Sequence, residues 1–249
     1  MKKHCLWPLA GILFLVFSLV DFAGCIWAEG LHQAVKPALL PLLSLTSLLY
    51  LLEHALCSYN PDTDSYVLPE GGLVSAADRR EIGLLVGAQL LGCAGDVLLL
   101  GEGLAFFGSG IFVFLLGHVC YICLFGKFSW DGLGWKHWCL AFAGMIAAVA
   151  GLVLGIGVNG VLLPPMAIYA FALAMLIFSG LAGVLRIGGP TWWIILCGGL
   201  LFTFSDSLIA TGTFHTWDFA LRHFAVMSTY VLAQTLLAIG AIRLILDRR

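Results

Sequence analysis

The sequence predicts an all-α protein, a multi-pass transmembrane helical bundle of eight helices with both termini in the cytoplasm. Three observations lead to this fold class: the composition, the spacing of the apolar runs and the distribution of the basic residues. Of the 249 residues, 61% are hydrophobic and 10% are charged, and the mean hydropathy is +1.03. A soluble globule of this length needs a mostly polar surface, which this composition cannot supply. The chain is therefore expected to be an integral membrane protein.

The apolar runs predict the individual helices, because a membrane-crossing helix needs about 20 consecutive apolar residues. One connection between runs is long: residues 58–81 are rich in Pro, Gly, Asp and Ser and are predicted to form a flexible loop. Residues 1–249 are otherwise predicted to form a single transmembrane domain. The helices are expected near residues 6–28, 36–57, 82–100, 104–126, 137–158, 162–186, 191–212 and 223–246.

The basic residues predict the orientation of the bundle. With a cytoplasmic N-terminus, all of the 12 Lys and Arg residues except Lys36 and Arg222 fall on the inner side, as the positive-inside rule requires. The first run resembles a signal peptide, but at about 23 residues it is long for one, and a retained helix is expected. The membrane is expected to be a bacterial inner membrane, or the endoplasmic reticulum in a eukaryote.

Several function classes lack support in the sequence. With a net charge of −2 and scattered Lys and Arg, the chain offers no basic stripe for a nucleic acid, and no such partner is expected. GxSxG, HExxH and Walker motifs are all absent, which removes serine hydrolases, zincins and NTPases. Among the histidines, His118 is predicted well inside a helix, whereas His32 and His137 are assigned to loops. Neither a metal cluster nor a cofactor is therefore expected.

Pairs of glycines four residues apart predict places where helices pack closely. Gly83 with Gly87, and Gly151 with Gly155, have the small-xxx-small spacing that lets two helix backbones approach one another. Helices three and five are therefore expected to pack against neighbours at these positions.

Two aspartates lie inside predicted membrane helices, Asp96 in the third and Asp206 in the seventh. An ionised Asp there costs about 2.5–3.5 kcal/mol, so such residues normally face a partner or a water-filled cavity. Both helices run in the same direction, and at about 1.5 Å per residue both aspartates lie roughly 7–9 Å below the predicted outer helix ends. The two carboxyl groups are expected to be level. Asp21 lies close to a helix end and is expected to be solvated.

Other polar side chains fall at compatible depths and are expected to line one interior cavity with the aspartates. Tyr230 and Gln234 share a face of the eighth helix by their i, i+4 spacing, and Lys36 opens the second helix. Two alternatives stay open. The polar groups can form an ionic network that only orients helices, or they can serve ion-coupled transport of a lipid or small solute, although no inverted repeat is evident.

Six segments occur in an order and at a helix spacing that match a known family. They are VKPALLPLL (35–43), GAQLLGCAGDVLLL (87–100), FLLGHVCYICLF (114–125), YAFALAM (169–175), GGLLFTFSDSLIA (198–210) and STYVLAQTLL (228–237). Over about residues 35–240 the chain resembles the YhhN-like lysoplasmalogenases. Neither the first helix nor the loop at 58–81 contributes to the resemblance.

The resemblance implies a membrane-embedded ether hydrolase. Members of this family cleave the vinyl-ether bond of lysoplasmalogens and release a fatty aldehyde with glycerophosphoethanolamine or glycerophosphocholine. It therefore implies a lysophospholipid substrate and no cofactor, and it leaves the oligomeric state open. The family's paired catalytic aspartates match Asp96 and Asp206. The supporting or substrate-binding residues that it implies are Lys36, His118, Tyr121, Tyr169, Tyr230 and Gln234.

Vinyl-ether chemistry explains why two carboxyl groups are needed. Protonation of the alkene carbon beside the ether-bearing carbon gives an oxocarbenium ion, which water captures as a hemiacetal that collapses to aldehyde and alcohol. The reaction requires one carboxylic acid and one carboxylate, as glycosidases do. One of Asp96 and Asp206 is expected to be the acid and the other the base. Lys36 is expected either to keep one carboxyl ionised or to bind the substrate phosphate.

Overall fold

The structure, a computed structural model, describes residues 6–56, 58–60, 65–67, 76–158, 160–214 and 219–247. Within these ranges, eight α-helices are long and apolar enough to cross a membrane, which confirms the predicted fold class and makes this a multi-pass membrane protein. The helices are α1 (Trp7–Trp27), α2 (Glu29–Leu56), α3 (Ala76–Leu98), α4 (Leu104–Ser129), α5 (Trp135–Ile156), α6 (Leu163–Arg186), α7 (Pro190–Phe214) and α8 (Arg222–Leu246).

The long connection between α2 and α3 contains some regular structure. Strands β1 (Ser58–Asn60) and β2 (Ser65–Val67) pair antiparallel, with Tyr59 opposite Tyr66. Residues 61–64 and 68–75 of the predicted flexible loop lie outside the described residues. Because the helix α3 begins at Ala76, the last part of residues 58–81 is helical instead of loop.

Two helices, α2 and α3, begin more than one turn earlier than the sequence predicts. α2 begins at Glu29 and continues through Pro37 and Pro41. Pro41 has no N–H to donate to the Pro37 carbonyl oxygen, and the Cys93 thiol of α3 donates to that oxygen instead, at 3.3 Å. This replacement partner compensates the backbone hydrogen bond that is lost at Pro41.

The start of α3 also differs from its prediction. Asp78 lies in the first turn, where a negative charge is favoured by the helix dipole. Glu81 is fully buried and forms an ion pair with Lys127 of α4. These partners compensate the acidic residues that the sequence analysis left outside the helix.

Seven of the helices in the described chain form a closed ring. Contacts run from α1 to α2, α3, α4, α6, α7 and α8, and α8 returns to α1. α8 also contacts α2 and α3, so it lies towards the middle of the ring. α5 packs mainly against α6 and exposes Leu140, Ile146 and Leu154, as expected of a peripheral helix that faces lipid.

Close helix contacts occur at other glycines than those predicted. A methyl group added at Gly83, Gly151 or Gly155 would meet nothing within 4 Å, so the predicted packing sites are wrong there. By contrast, a Cβ at Gly180 of α6 would lie 2.8 Å from the Leu196 Cα of α7. The spacing of glycines does not say which helix face meets protein and which meets lipid, and this explains the error.

Candidate active site

Asp96 lies near the end of α3 and has partners on two other helices. The Lys36 ammonium of α2 is 3.2 Å from Oδ1, and the Tyr230 hydroxyl of α8 donates to Oδ2 at 2.8 Å. All three side chains are buried. A buried carboxylate is costly unless its charge is paired and its oxygens accept hydrogen bonds, and both conditions are met here.

A row of polar side chains continues from Asp96 into the bundle. Gln234 lies one turn beyond Tyr230 on α8, and the Tyr121 hydroxyl of α4 donates to Gln234 Oε1 at 2.8 Å. Gly92 of α3 leaves room for these side chains, because a Cβ there would lie 3.4 Å from both the Gln234 amide nitrogen and the Tyr230 hydroxyl oxygen. Tyr230 and Gln234 therefore point from the same face of α8 towards α3, as their i, i+4 spacing predicts.

Asp206 of α7 has different surroundings. The Tyr169 hydroxyl of α6 donates a hydrogen bond to its Oδ2. Across the described part of the chain, Asp206 has no cationic partner within 4 Å. Its partly exposed side chain borders two small cavities of about 30 Å³ each, whose other walls are mostly apolar. A space of this size can hold a water molecule where polar groups line it.

Aromatic rings join the two aspartate–tyrosine pairs. The centroid of the Phe202 ring lies 5.4 Å from that of Tyr230 and 4.6 Å from that of His118, and His118 lies 5.3 Å from Tyr169. The two carboxyl groups are close enough to interact electrostatically, and Lys36 acts on both. The predicted site residues therefore lie in one region of the bundle.

The helix ends do not support the expectation that the carboxyl groups are level. α3 ends at Leu98, directly after the Asp96 turn, whereas α7 continues beyond Asp206 to Phe214. Distance from a helix end is therefore no measure of depth here. The Asp96 and Asp206 regions are instead linked by the ring contacts of Phe202 and His118.

His118 lies among the site residues without bonding to either aspartate. Its Nδ1 donates to the Phe114 carbonyl oxygen at 2.7 Å, so the other ring nitrogen, Nε2, is left as an acceptor. Nε2 is buried and has no hydrogen-bond partner within the described residues. The imidazole packs edge-on against Tyr169 and Phe202, and the supporting role predicted for it stays a prediction.

A polar cavity of about 370 Å³ lies at the end of the bundle where α2 and α8 begin. It is called the polar cavity below. Its charged lining residues are Glu29, Lys36, Glu102 and Arg222, and it also includes the imidazoles of His32 and His223. One wall, formed by Leu99, Phe107 and Ile209, is shared with a small cavity beside Asp206. The polar cavity thus lies beside the small Asp206 cavity, and Lys36 in its lining contacts Asp96.

The sequence analysis missed the buried groups near the start of α2. Asp21, predicted to be solvated, is fully buried. His32, assigned to a loop, lies in the first turn of α2 with its Nδ1 2.8 Å from Asp21 Oδ1. A single residue, Ala28, separates α1 from α2, so the new helix folds back onto the old one. His137 likewise lies in a helix, α5, and not in a loop.

A family model for YhhN matches residues 31–241, from the first turn of α2 into α8. The chain belongs to the YhhN family. The predicted family is thereby confirmed, and all eight predicted site residues lie within the matched range.

Curated relatives of this YhhN-family chain carry the name lysoplasmalogenase. The chain is 33% identical over 162 residues to lysoplasmalogenase TMEM86B of Rattus norvegicus, and the match covers 64% of this chain and 62% of the rat protein. It is 31% identical over 163 residues to the Homo sapiens TMEM86B, 64% of each chain, and 27% identical over 174 residues to Homo sapiens TMEM86A, 67% of this chain and 66% of that protein. The chain thus spans less than two thirds of the length of these relatives. No solved structure matches it.

Proposed function

We propose that this YhhN-family chain is a lysoplasmalogenase, which hydrolyses the vinyl-ether bond of lysoplasmalogens to a fatty aldehyde and glycerophosphoethanolamine or glycerophosphocholine. One observation carries the proposal: two interacting carboxyl groups lie in unlike surroundings inside a membrane bundle. Asp96 pairs with Lys36 and Tyr230, whereas Asp206 meets Tyr169 and mostly apolar walls. The names of the lysoplasmalogenase relatives support the same substrate class.

The surroundings favour a particular division of roles. The ammonium of Lys36, 3.2 Å from Asp96, stabilises a negative charge there, so Asp96 is assigned as the carboxylate. Asp206 has no such cation within the described residues, and its Oδ2 is occupied by the Tyr169 hydroxyl. Its Oδ1 can carry the proton, so Asp206 is assigned as the acid.

The proton transfers balance with these two groups alone. Asp206 protonates the alkene carbon beside the ether-bearing carbon, and the resulting oxocarbenium ion is stabilised by the Asp96 carboxylate. A water molecule bonds to the cationic carbon and gives a proton to Asp96. The hemiacetal hydroxyl then returns a proton to Asp206, the bond from that carbon to the glycerol oxygen breaks, and Asp96 protonates the departing alkoxide.

The polar cavity fits the head group of such a lipid. Lys36, Arg222 and His223 offer N–H donors for a phosphate. Glu29 and Glu102 offer carboxylates for the ammonium of ethanolamine or choline. With the head group there, the vinyl ether would lie along the wall shared with the Asp206 cavity, within reach of both carboxyl groups.

The proposal is tested by incubating purified protein with 1-alkenyl lysophospholipids and measuring the released aldehyde. Asp96→Asn and Asp206→Asn are each expected to lower kcat by about 100-fold or more, the scale of general acid–base catalysis, with unchanged helicity. Asp96→Asn is also expected to lower the melting temperature, because it leaves the Lys36 ammonium buried without its carboxylate. Asp131→Asn, in the exposed connection after α4, is the matched control and should retain activity.

Two outcomes would count against the proposal in different ways. Near-wild-type turnover in either Asn variant would contradict the two-carboxylate mechanism. If the wild type releases no aldehyde from either ethanolamine or choline substrates, the activity itself is wrong, and ion-coupled transport becomes the better explanation of the intramembrane carboxylates.

A further inference from the structure

A second cluster of reactive side chains joins α1 to α2. Asp21 and Cys25 lie one turn apart near the end of α1, and His32 lies in the first turn of α2. One ligand atom from each lies within 4.8 Å of the others. We propose that this group, called the α1–α2 cluster, binds a divalent transition-metal ion, with Zn²⁺ the best match.

The backbone is built to bring the three side chains together. A Cβ at Gly24 would lie 2.6 Å from the His32 nitrogen and 3.0 Å from its Cα, so only glycine allows this approach. His32 Nδ1 consequently lies 2.8 Å from Asp21 Oδ1 and 3.3 Å from Cys25 Sγ. In a tetrahedral zinc site, metal bonds of about 2.0–2.3 Å place a nitrogen and a sulfur ligand about 3.5 Å apart. The observed N···S separation is close to that value.

An unsatisfied atom gives independent support for a ligand. Asp21 is fully buried, and its Oδ2 has no hydrogen-bond partner in the part of the chain that the structure describes. Buried carboxylate oxygens are normally satisfied, because burying one without a partner is costly. A cation held by Asp21, Cys25 and His32 would satisfy this oxygen.

The donor set selects the kind of metal. A thiolate, an imidazole and a carboxylate suit Zn²⁺ and its spectroscopic substitute Co²⁺, whereas Ca²⁺ and Mg²⁺ prefer oxygen ligands alone. Three protein ligands would leave a fourth position for water or another donor. His32 lines the polar cavity, and the centroid of the His223 ring lies 6.3 Å from that of His32, so this position would face the polar cavity.

This inference is independent of the proposed lipid hydrolysis. Asp21 and Cys25 precede residues 31–241, so two of the three ligands lie outside the region that the YhhN family model matches. Binding would displace the protons of the thiol and of the His32 nitrogen, so the affinity is expected to fall as the pH is lowered.

Co²⁺ titration of chelator-treated, full-length protein tests the proposal, with thiolate-to-cobalt charge-transfer absorbance as the signal. The wild type should bind one Co²⁺ per chain, and Zn²⁺ should displace it. Cys25→Ser should abolish the charge-transfer band, and Asp21→Asn and His32→Gln should each weaken binding by about ten-fold or more, since each removes a ligand. Cys123→Ser, which removes an exposed thiol of α4, is the matched control and should leave the band intact.

Folding is monitored separately for each variant by its melting temperature. Zn²⁺ should raise the melting temperature of the wild type and of Cys123→Ser, but not that of Cys25→Ser, because only a site in the folded state stabilises it. A cobalt band that persists in Cys25→Ser would overturn the proposal. So would a wild type that shows no stoichiometric binding.

Discussion

Asp96 and Asp206 are the same type of side chain with different neighbours. Asp96 is held by an ammonium and a tyrosine hydroxyl, and Asp206 by a tyrosine hydroxyl beside mostly apolar cavities. In a low-dielectric interior such differences decide which protonation state is favoured. At the scale of single residues, the Lys36–Asp96 pair is therefore the feature whose energetics can be tested most directly.

Lys36→Met is expected to destabilise the protein by about 3–5 kcal/mol, because it leaves the Asp96 charge buried without its cation. The double variant Lys36→Met/Asp96→Asn removes both charges and should recover at least half of that loss. The measurement is the free energy of unfolding in detergent. Both variants should be inactive, since each disrupts the proposed carboxylate.

Lys136→Met serves as the control for the removal of a lysine, because Lys136 is exposed at the start of α5. Its unfolding free energy should be within about 0.5 kcal/mol of the wild type, as for most surface substitutions. A double variant no more stable than Lys36→Met would contradict the pair, because removing the Asp96 charge should relieve the cost of leaving it buried without its cation.

At the scale of helices, the packing of α6 against α7 positions half of the site. Tyr169 is on α6 and its acceptor Asp206 is on α7, so their hydrogen bond depends on how closely these helices approach. Gly180 sets that approach, since its α-carbon faces the backbone of Leu196 without an intervening side chain. Backbone atoms cannot rotate away as a flexible side chain can.

Gly180→Ala is expected to destabilise the protein by about 1–3 kcal/mol, the usual cost of overpacking. The added Cβ would lie 2.8 Å from the Leu196 Cα, and the helices must separate. Aldehyde release should fall as the Tyr169–Asp206 contact is displaced. Gly151→Ala of α5, where a Cβ meets nothing within 4 Å, is the matched control and should be neutral or slightly stabilising. Equal effects of the two substitutions would contradict this account.

At the scale of the whole molecule, the ring of helices places polar groups at one end and apolar surface around its circumference. The polar cavity opens where α2 and α8 begin, and one of the two small cavities beside Asp206 shares a wall with it. A lysophospholipid has the same division, with a charged head group and a single apolar chain. The orientation of the bundle then decides on which side of the membrane the head group of the proposed substrate would enter.

The distribution of basic residues predicts that the polar cavity opens away from the cytoplasm. The test starts from a variant whose eight cysteines are all replaced by serine. Into it, Glu102→Cys introduces one cysteine in the connection before α4, and Asp131→Cys introduces one in the connection after α4. A membrane-impermeant maleimide added to intact cells should label Glu102→Cys, but should label Asp131→Cys only after permeabilisation. The opposite pattern would invert the orientation, and labelling of both in intact cells would contradict a single crossing between them.

Much of the site could be predicted because an isolated intramembrane charge is costly. That cost drew attention to Asp96, Asp206 and Lys36, and the resemblance added the tyrosines and Gln234. The α1–α2 cluster escaped prediction because Asp21 and His32 are polar residues near helix ends, where solvation is the usual state. Asp21 and His32 become buried because a single residue, Ala28, joins α1 to α2 and because Gly24 has no side chain to keep the two helices apart.

The sequence by itself determined the membrane class, the number of helices and the family, because run length, composition and segment order are properties of neighbouring residues. Helix starts at Glu29 and Ala76 needed the structure, since partners on other helices compensate the hydrogen bond lost at Pro41 of α2 and the charge of Glu81 of α3. The tertiary structure alone decided which tyrosine serves which aspartate. Tyr230 and Asp96 are 134 residues apart, and such a contact depends on the packing of whole helices and not on local sequence.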